Sequence, residues 1–297
     1  MPDTFFTQAP HWQWWIIFYF FIGGIGGGSY AIAAMLHLFG EPEDRPISRL
    51  GYYIALPAII ISGILLTLDL TRPERFWHML VQSNTWTPAF KYWSPMSVGS
   101  WGITFFGLFA FLSTVGALAE TRRLPWRGLA ALNQGLLGNV INVLGALFGF
   151  FVAGYTGVLL SVTNRPLWAD TWLLGLLFLV SGFSTAAALL YLAGRRRAHP
   201  ESLRWLSQMD TWALILELIV LALVVVSVGS VVAREVLFNM WGVLLLVGVV
   251  LVGILIPLLL HWRPRLLGPA SPVGAAALVL VGGFILRVVM LLSSEAV

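Results

Sequence analysis

The chain has 297 residues, 59% hydrophobic and only 10% charged, which excludes a soluble domain, where about a quarter of residues carry charge. Seventeen Lys and Arg against thirteen Asp and Glu leave +4, and in so apolar a chain that excess fits membrane loops rather than a nucleic-acid surface. Cysteine is absent, so disulfides and thiolate-held iron–sulfur or zinc sites are excluded from this chain, and any electron chemistry needs a bound cofactor or a partner.

A bilayer-spanning helix takes roughly 20 mostly apolar residues. Eight stretches qualify: 13–39, 47–70, 97–119, 128–161, 167–193, 207–232, 236–260 and 273–293. The expected fold class is all-α, a polytopic membrane protein with one integral membrane domain over 1–297. The leader before the first span has no Lys or Arg and the apolar run is too long for a cleaved signal peptide, so this span is expected to stay. Lys and Arg divide unequally between alternate loops. Arg45, Arg49, Arg122, Arg123, Arg127, Arg195, Arg196, Arg197, Arg204, Arg263 and Arg265 fall on one side; Arg72, Arg75, Lys91, Arg165 and Arg234 fall on the other. The positive-inside rule makes the first side cytoplasmic, placing both termini in the periplasm of a bacterial inner membrane.

The first span contains FYFFIGGIGGGSYA. A dinucleotide-binding loop would need a strand before it and a soluble crossover helix after it. Here Gly23, Gly24, Gly26, Gly27 and Gly28 lie inside an apolar run, and the Gly23/Gly27 and Gly24/Gly28 spacing is that of small residues at close helix crossings in lipid. Tyr19, just before them, lies about 10 Å in from the periplasmic end at about 1.5 Å per residue. Tyr155 in the fourth span lies about 9 Å in from that end, so the two phenols share a level.

Asp69 closes the second span on the same side, and RPERFWHML follows with the charge and aromatic content of an interfacial helix. Asp69 and Arg72 read either as an anchoring pair or as a proton-exchanging carboxylate held ionised by its neighbour. Farther along, Asp210 and Glu217 are seven residues apart on nearly one face of the sixth span, and Arg287 lies inside the eighth. Ionisable groups within spans are costly and mark function by default. A buried ion pair between Glu217 and Arg287 and a proton path through Asp210, Glu217 and Arg287 both fit. Asn139 and Asn142, three apart on the fourth span, and His37 at the end of the first are further proton-path candidates, though interhelical hydrogen bonding accounts for the asparagines too. The five histidines, His11, His37, His78, His199 and His261, sit at span ends or in loops, and so offer no facing pair of axial ligands for a haem.

Taken together, the aromatic and glycine-rich first span, LDLTRPERFW, SPMSVGSW (94–101) and YTGVLLSVTNRPLW (155–168) resemble the NrfD/PsrC family, the quinone-reactive membrane subunits of polysulfide reductase and its relatives. These stretches cover the first five spans in order; the last three match by hydropathy alone. The resemblance implies two four-helix bundles and a quinone pocket (menaquinone or ubiquinone) near the periplasmic surface, with neither haem nor metal in the chain. It also implies a periplasmic-side iron–sulfur partner and a catalytic subunit of molybdopterin type. Tyr155 matches the family tyrosine that hydrogen-bonds a quinone carbonyl. Ile16 and Tyr19 stand where family members carry an asparagine and a histidine, which leaves Tyr19, Gln13 and His11 as first-helix contacts. The expected function is exchange of electrons between quinone and the iron–sulfur partner, with Asp69 and Arg72 handling protons. The alternatives are a transporter without redox role, for which no internal repeat is evident, and a passive membrane anchor.

Overall fold

The computed structural model describes residues 12, 14–123, 126–237, 239–263 and 268–295. Among the described residues, eight helices are long and apolar enough to cross a membrane: α1 Trp14–Phe39, α2 Arg45–Leu68, α3 Pro95–Glu120, α4 Gly135–Ser161, α5 Leu174–Gly194, α6 Pro200–Ser227, α7 Met240–Trp262 and α8 Ser271–Glu295. No strand occurs among the described residues, and the chain is an all-α, multi-pass membrane protein.

The ends of the helices follow local chemistry. Proline, whose missing N–H costs nothing in a first turn, opens α2, α3 and α6. At α3 the Ser94 side chain also accepts from the Ser97 N–H. The fourth span was expected from 128, but a 3-10 segment, Arg127–Asn133, precedes a break at Gly135, which takes the left-handed backbone (φ 58°) open to glycine. The fifth begins at Leu174 rather than 167, because Asp170 and Thr171 side chains accept the Leu167 and Leu173 N–H groups and hold the preceding segment as turns. Within α7 the middle, Leu245–Leu255, is wound as a π-helix.

Helix α1 is the centre of the molecule. Some 83% of its most apolar window is buried, against 33% for α2 and α6, and it packs on α2, α4, α5 and α8. The glycines make that possible. A Cβ at Gly27 would fall on the Gly149 carbonyl of α4, and one at Gly28 would lie 2.7 Å from the Gly182 carbonyl of α5. With hydrogen at these positions, α1 brings its backbone against two neighbours at once. Apolar side chains left exposed, including Ile61 of α2 and Leu136, Val140 and Leu147 of α4, face outward, as lipid requires.

Candidate functional site

The helix order places the start of α1, the end of α2, the start of α3 and the end of α4 at one end of the molecule, opposite the arginine-rich loops. Between them is a cavity of about 530 Å³. Its walls are mostly apolar: Trp12, Ile16, Ile60, Ile64, Leu66, Leu68, Phe76, Met79, Met96, Ile103 and Leu159. The polar groups on them are few, namely Tyr19, Thr67, Asp69, Ser100, Thr104 and Tyr155.

Tyr19 is 1% exposed, and its hydroxyl has no hydrogen-bond partner. A buried hydroxyl without a partner costs about 1–3 kcal/mol, so the position is costly unless something occupies the space beside it. Ser62 of α2, also buried, has a second unpartnered hydroxyl on the same flank of α1, where both it and the Tyr19 ring lie about 3.5 Å from a Cβ position on Gly23.

Tyr155 is held differently. Its hydroxyl donates to the Pro95 carbonyl at 2.6 Å, in the first turn of α3. The ring reaches that carbonyl because residue 99 is glycine; a Cβ there would land on the Tyr155 ring and hydroxyl. The SPMSVGSW stretch is thus explained by what it does for Tyr155: Ser94 caps, Pro95 offers the carbonyl and Gly99 clears the space. Trp168 of the RPLW stretch, fully buried and donating to the Met290 carbonyl at 2.7 Å, stacks on Trp12 and so fixes a wall of the cavity.

Asp69 stands just past α2, its N–H bonded to the Leu65 carbonyl. Burial against the cavity raises the pKa of its carboxyl above the usual carboxylate value. The expected Arg72 partnership is corrected here. Arg72 precedes Pro73, which forces an extended backbone (φ −134°, ψ 80°) and turns the side chain out to an exposed position. No Asp69–Arg72 ion pair exists among the described residues, and Arg72 does not hold the carboxylate ionised. His11 and Gln13, the other first-helix candidates, lie outside the described residues.

The residues assigned to a proton path fall in three places. Asp210, Glu217 and Arg287 form a buried group among α5, α6 and α8. Ser184 donates to Asp210 Oδ1 at 2.6 Å, and His261 Nε2 lies 3.7 Å from Asp210 Oδ2 while its Nδ1 meets Thr211 Oγ1 at 3.0 Å. Arg287 Nη1 donates to Ser181 Oγ at 2.6 Å and to the Gly283 carbonyl at 2.7 Å. No Glu217–Arg287 ion pair within 4 Å occurs among the described residues; Ser181 and Arg287 are the polar neighbours of Glu217. His37 and Asn139 instead line a separate cavity at the arginine-rich end. Asn142 is paired with the Tyr52 hydroxyl and bonds the Gly138 carbonyl at 2.8 Å.

Sequence reasoning missed Gly99, Pro95, Ser181, Ser184 and His261. Ser181 and Ser184 had a readable signal, being three apart on one face of an apolar helix. The pairing of His261 with Asp210 had none, since they lie 51 positions apart on successive spans.

A family profile described as polysulphide reductase, NrfD, matches residues 3–297. The chain belongs to the NrfD polysulphide reductase family. Among its relatives, Protein NrfD of Escherichia coli (strain K12) is 27% identical over 320 residues, covering 99% of this chain and 98% of the relative. The C component of polysulfide reductase from Wolinella succinogenes is 29% identical over 58% of this chain and 55% of its own length. The C component of selenate reductase from Mesobacillus selenatarsenatis is 30% identical over 38% of this chain and 24% of its own. The NrfD family supplies membrane subunits of reductase complexes, and the eight apolar helices accord with that.

Proposed function

We propose that this NrfD-family protein is the quinone-binding membrane subunit of a multi-subunit oxidoreductase, exchanging electrons between membrane quinone and an iron–sulfur partner that serves a catalytic subunit. The observation that carries the reading is the apolar cavity of about 530 Å³ into whose wall the unpartnered Tyr19 phenol is built beside Tyr155. Small-molecule sites are mostly apolar, with a few well-placed polar groups, and an aromatic head on a lipid tail fits walls of Ile, Leu, Met and Phe. Two of the relatives are named as single components of larger reductases, which supports a multi-subunit setting. The arginine count supports an inner membrane with the cavity on the periplasmic side, next to the iron–sulfur partner.

A bound quinone supplies the two-electron, two-proton redox chemistry. Tyr19 Oη would donate a hydrogen bond to a quinone bound in the cavity, which would satisfy its otherwise orphaned proton. Tyr155 Oη, its own proton committed to the Pro95 carbonyl, would offer its lone pairs as acceptor to the reduced form. Asp69, whose raised pKa keeps a proton nearer to hand, exchanges it between the cavity and the aqueous rim. The apolar walls exclude water from the ring.

Tyr19→Phe tests this directly. Quinone-linked turnover of the assembled complex is expected to fall about tenfold or more, while dye-linked activity of the catalytic subunit stays unchanged. Ligand-free thermal stability should hold or rise, because a hydroxyl without a partner has been removed. Full quinone-linked turnover in Tyr19→Phe refutes the reading.

Ser184 beside Asp210 and Ser181 between Glu217 and Arg287 favour a second reading, in which proton transfer through α5 and α6 accompanies turnover. In proteoliposomes Glu217→Gln should then abolish the membrane potential generated by turnover. A surviving potential makes the group structural.

A further inference from the structure

At the arginine-rich end of α1–α4 lies a second cavity, of about 670 Å³, remote from the Tyr19 cavity and sharing no wall residue with it. His37 of α1, Arg45 and Arg49 of α2, Glu120 and Arg122 at the end of α3, and Asn139 of α4 line it, and the 3-10 segment Arg127–Asn133 closes one side.

The charges of this wall do not cancel. Arg49 Nε donates to Glu120 Oε2 at 3.1 Å, and that pair is neutral as a unit. Arg45 Nη1 donates instead to Nδ1 of His37 at 3.0 Å. An imidazole nitrogen that accepts from a guanidinium is unprotonated, so His37 adds no charge of either sign. Arg122 has no ion pair among the described residues. Two guanidiniums are therefore uncompensated in one concavity, where low-dielectric walls strengthen their field. An excess proton is repelled from such a place, which argues against His37 and Asn139 as a proton entry. An anion is attracted.

Arg122 takes the left-handed backbone (φ 55°) as the residue that closes α3, its N–H bonded to the Ala119 carbonyl and the Arg123 N–H to the Leu118 carbonyl, so that conformation belongs to the helix end. One further observation bears on the depth of the anion. Trp126, 70% exposed, leads into the closing 3-10 segment, and tryptophan at a span end marks headgroup depth. Guanidinium forks match the oxygens of a phosphoryl group better than a point charge does. Basic pockets between helices on the cytoplasmic side take anionic headgroups.

We infer that the Arg45–Arg122 cavity is a binding site for a phosphoryl anion at the membrane interface, the headgroup of an anionic phospholipid or free phosphate. The inference stands apart from the quinone reading, since it uses neither the Tyr19 cavity nor any redox step.

The test takes the purified full-length protein in neutral detergent and follows thermal unfolding by tryptophan fluorescence, with phosphatidylglycerol, phosphatidylcholine or inorganic phosphate added. Bound lipid is counted in parallel by native mass spectrometry. Phosphatidylglycerol is expected to raise the unfolding temperature and to be retained, with phosphatidylcholine inactive. Arg122→Gln, a change at an exposed side chain, should raise the half-saturating phosphatidylglycerol concentration about tenfold, and Arg45→Gln should do the same. A response to phosphatidylglycerol alone identifies the headgroup as the ligand; a response to inorganic phosphate at comparable concentration identifies free phosphate. Equal responses to phosphatidylglycerol and phosphatidylcholine, no response to either phosphoryl probe, or unchanged binding in both variants overturns the inference.

Discussion

Two polar regions of the membrane-spanning part invite comparison, the tyrosine-lined cavity of α1–α4 and the Asp210–Glu217–Arg287 group of α5–α8. The second has far more charge, yet the void beside Asp210 and His261 measures only about 10 Å³, at or below what one water needs. Ser184 engages Asp210, and Ser181 and Gly283 engage Arg287, whose Nε alone in the guanidinium is left without a partner. The first has a single carboxylate and two phenols around about 530 Å³ of apolar-walled space, and one phenol is unpartnered. Charge inside a bilayer therefore marks a demand for partners, whereas space beside an unmet donor marks room for a ligand.

The sharpest way to break this contrast is to remove charge from the closed group. Arg287→Met takes the donor from the Ser181 hydroxyl and the Gly283 carbonyl and removes the cation whose field acts on Glu217, and each buried polar group left unpaired costs about 1–3 kcal/mol. The variant should show a large drop in unfolding temperature or in recovered folded protein, and adding Glu217→Gln should restore part of the loss. If Arg287→Met is as stable as the parent, the group is not the tightly coupled network its hydrogen bonds imply.

Filling the open region should act the other way round. Gly63 of α2 lines the cavity, and a Cβ there meets nothing within 4 Å. Gly63→Phe is expected to leave stability within about 0.5 kcal/mol, as for a substitution clear of packed neighbours, while quinone-linked turnover falls more than tenfold. Loss of fold with loss of turnover, measured by unfolding temperature on the same sample, would show that the space is not free.

The smallest expected effect concerns Asp69. Because burial raises its folded pKa, its contribution to stability is fully present below the ordinary carboxylate pKa and is lost as pH rises through the raised value. Asp69→Asn should remove that fall, so the variant's advantage in unfolding temperature grows with pH above the ordinary carboxylate range. A difference that stays flat with pH would place the Asp69 carboxyl in water rather than against the cavity.

Much of this was legible in the sequence, for physical reasons. Spans follow from apolar length, and all eight were found. Their ends moved where side-chain oxygens compete for backbone groups, as at Asp170 and Thr171, or where glycine breaks the helix, as at Gly135. Rise per residue was enough to put Tyr19 and Tyr155 at one depth, and the fold brings both to one cavity. What could not be read was direction. Arg72 is close to Asp69 in sequence, but the proline after it turns the side chain away. The partner of Tyr155 is a backbone carbonyl, to which residue identity gives no clue. The arginine-rich cavity draws its cations from the start of α2 and the turn after α3, and only folding puts Arg45 and Arg122 on one wall.

The bond from the Tyr155 phenol to the Pro95 carbonyl reaches beyond the cavity. Pro95 begins α3 directly after the long loop between α2 and α3, and that loop is moored to the first two turns of α3 by Ser97 and Trp101, both of which donate to the Ala89 carbonyl. A protein seated on the loop would pull on the peptide that orients the phenol. The loop and the phenol thus act on one short piece of backbone, and under the proposed function a partner held at this loop would change the Tyr155 hydroxyl's position without entering the membrane.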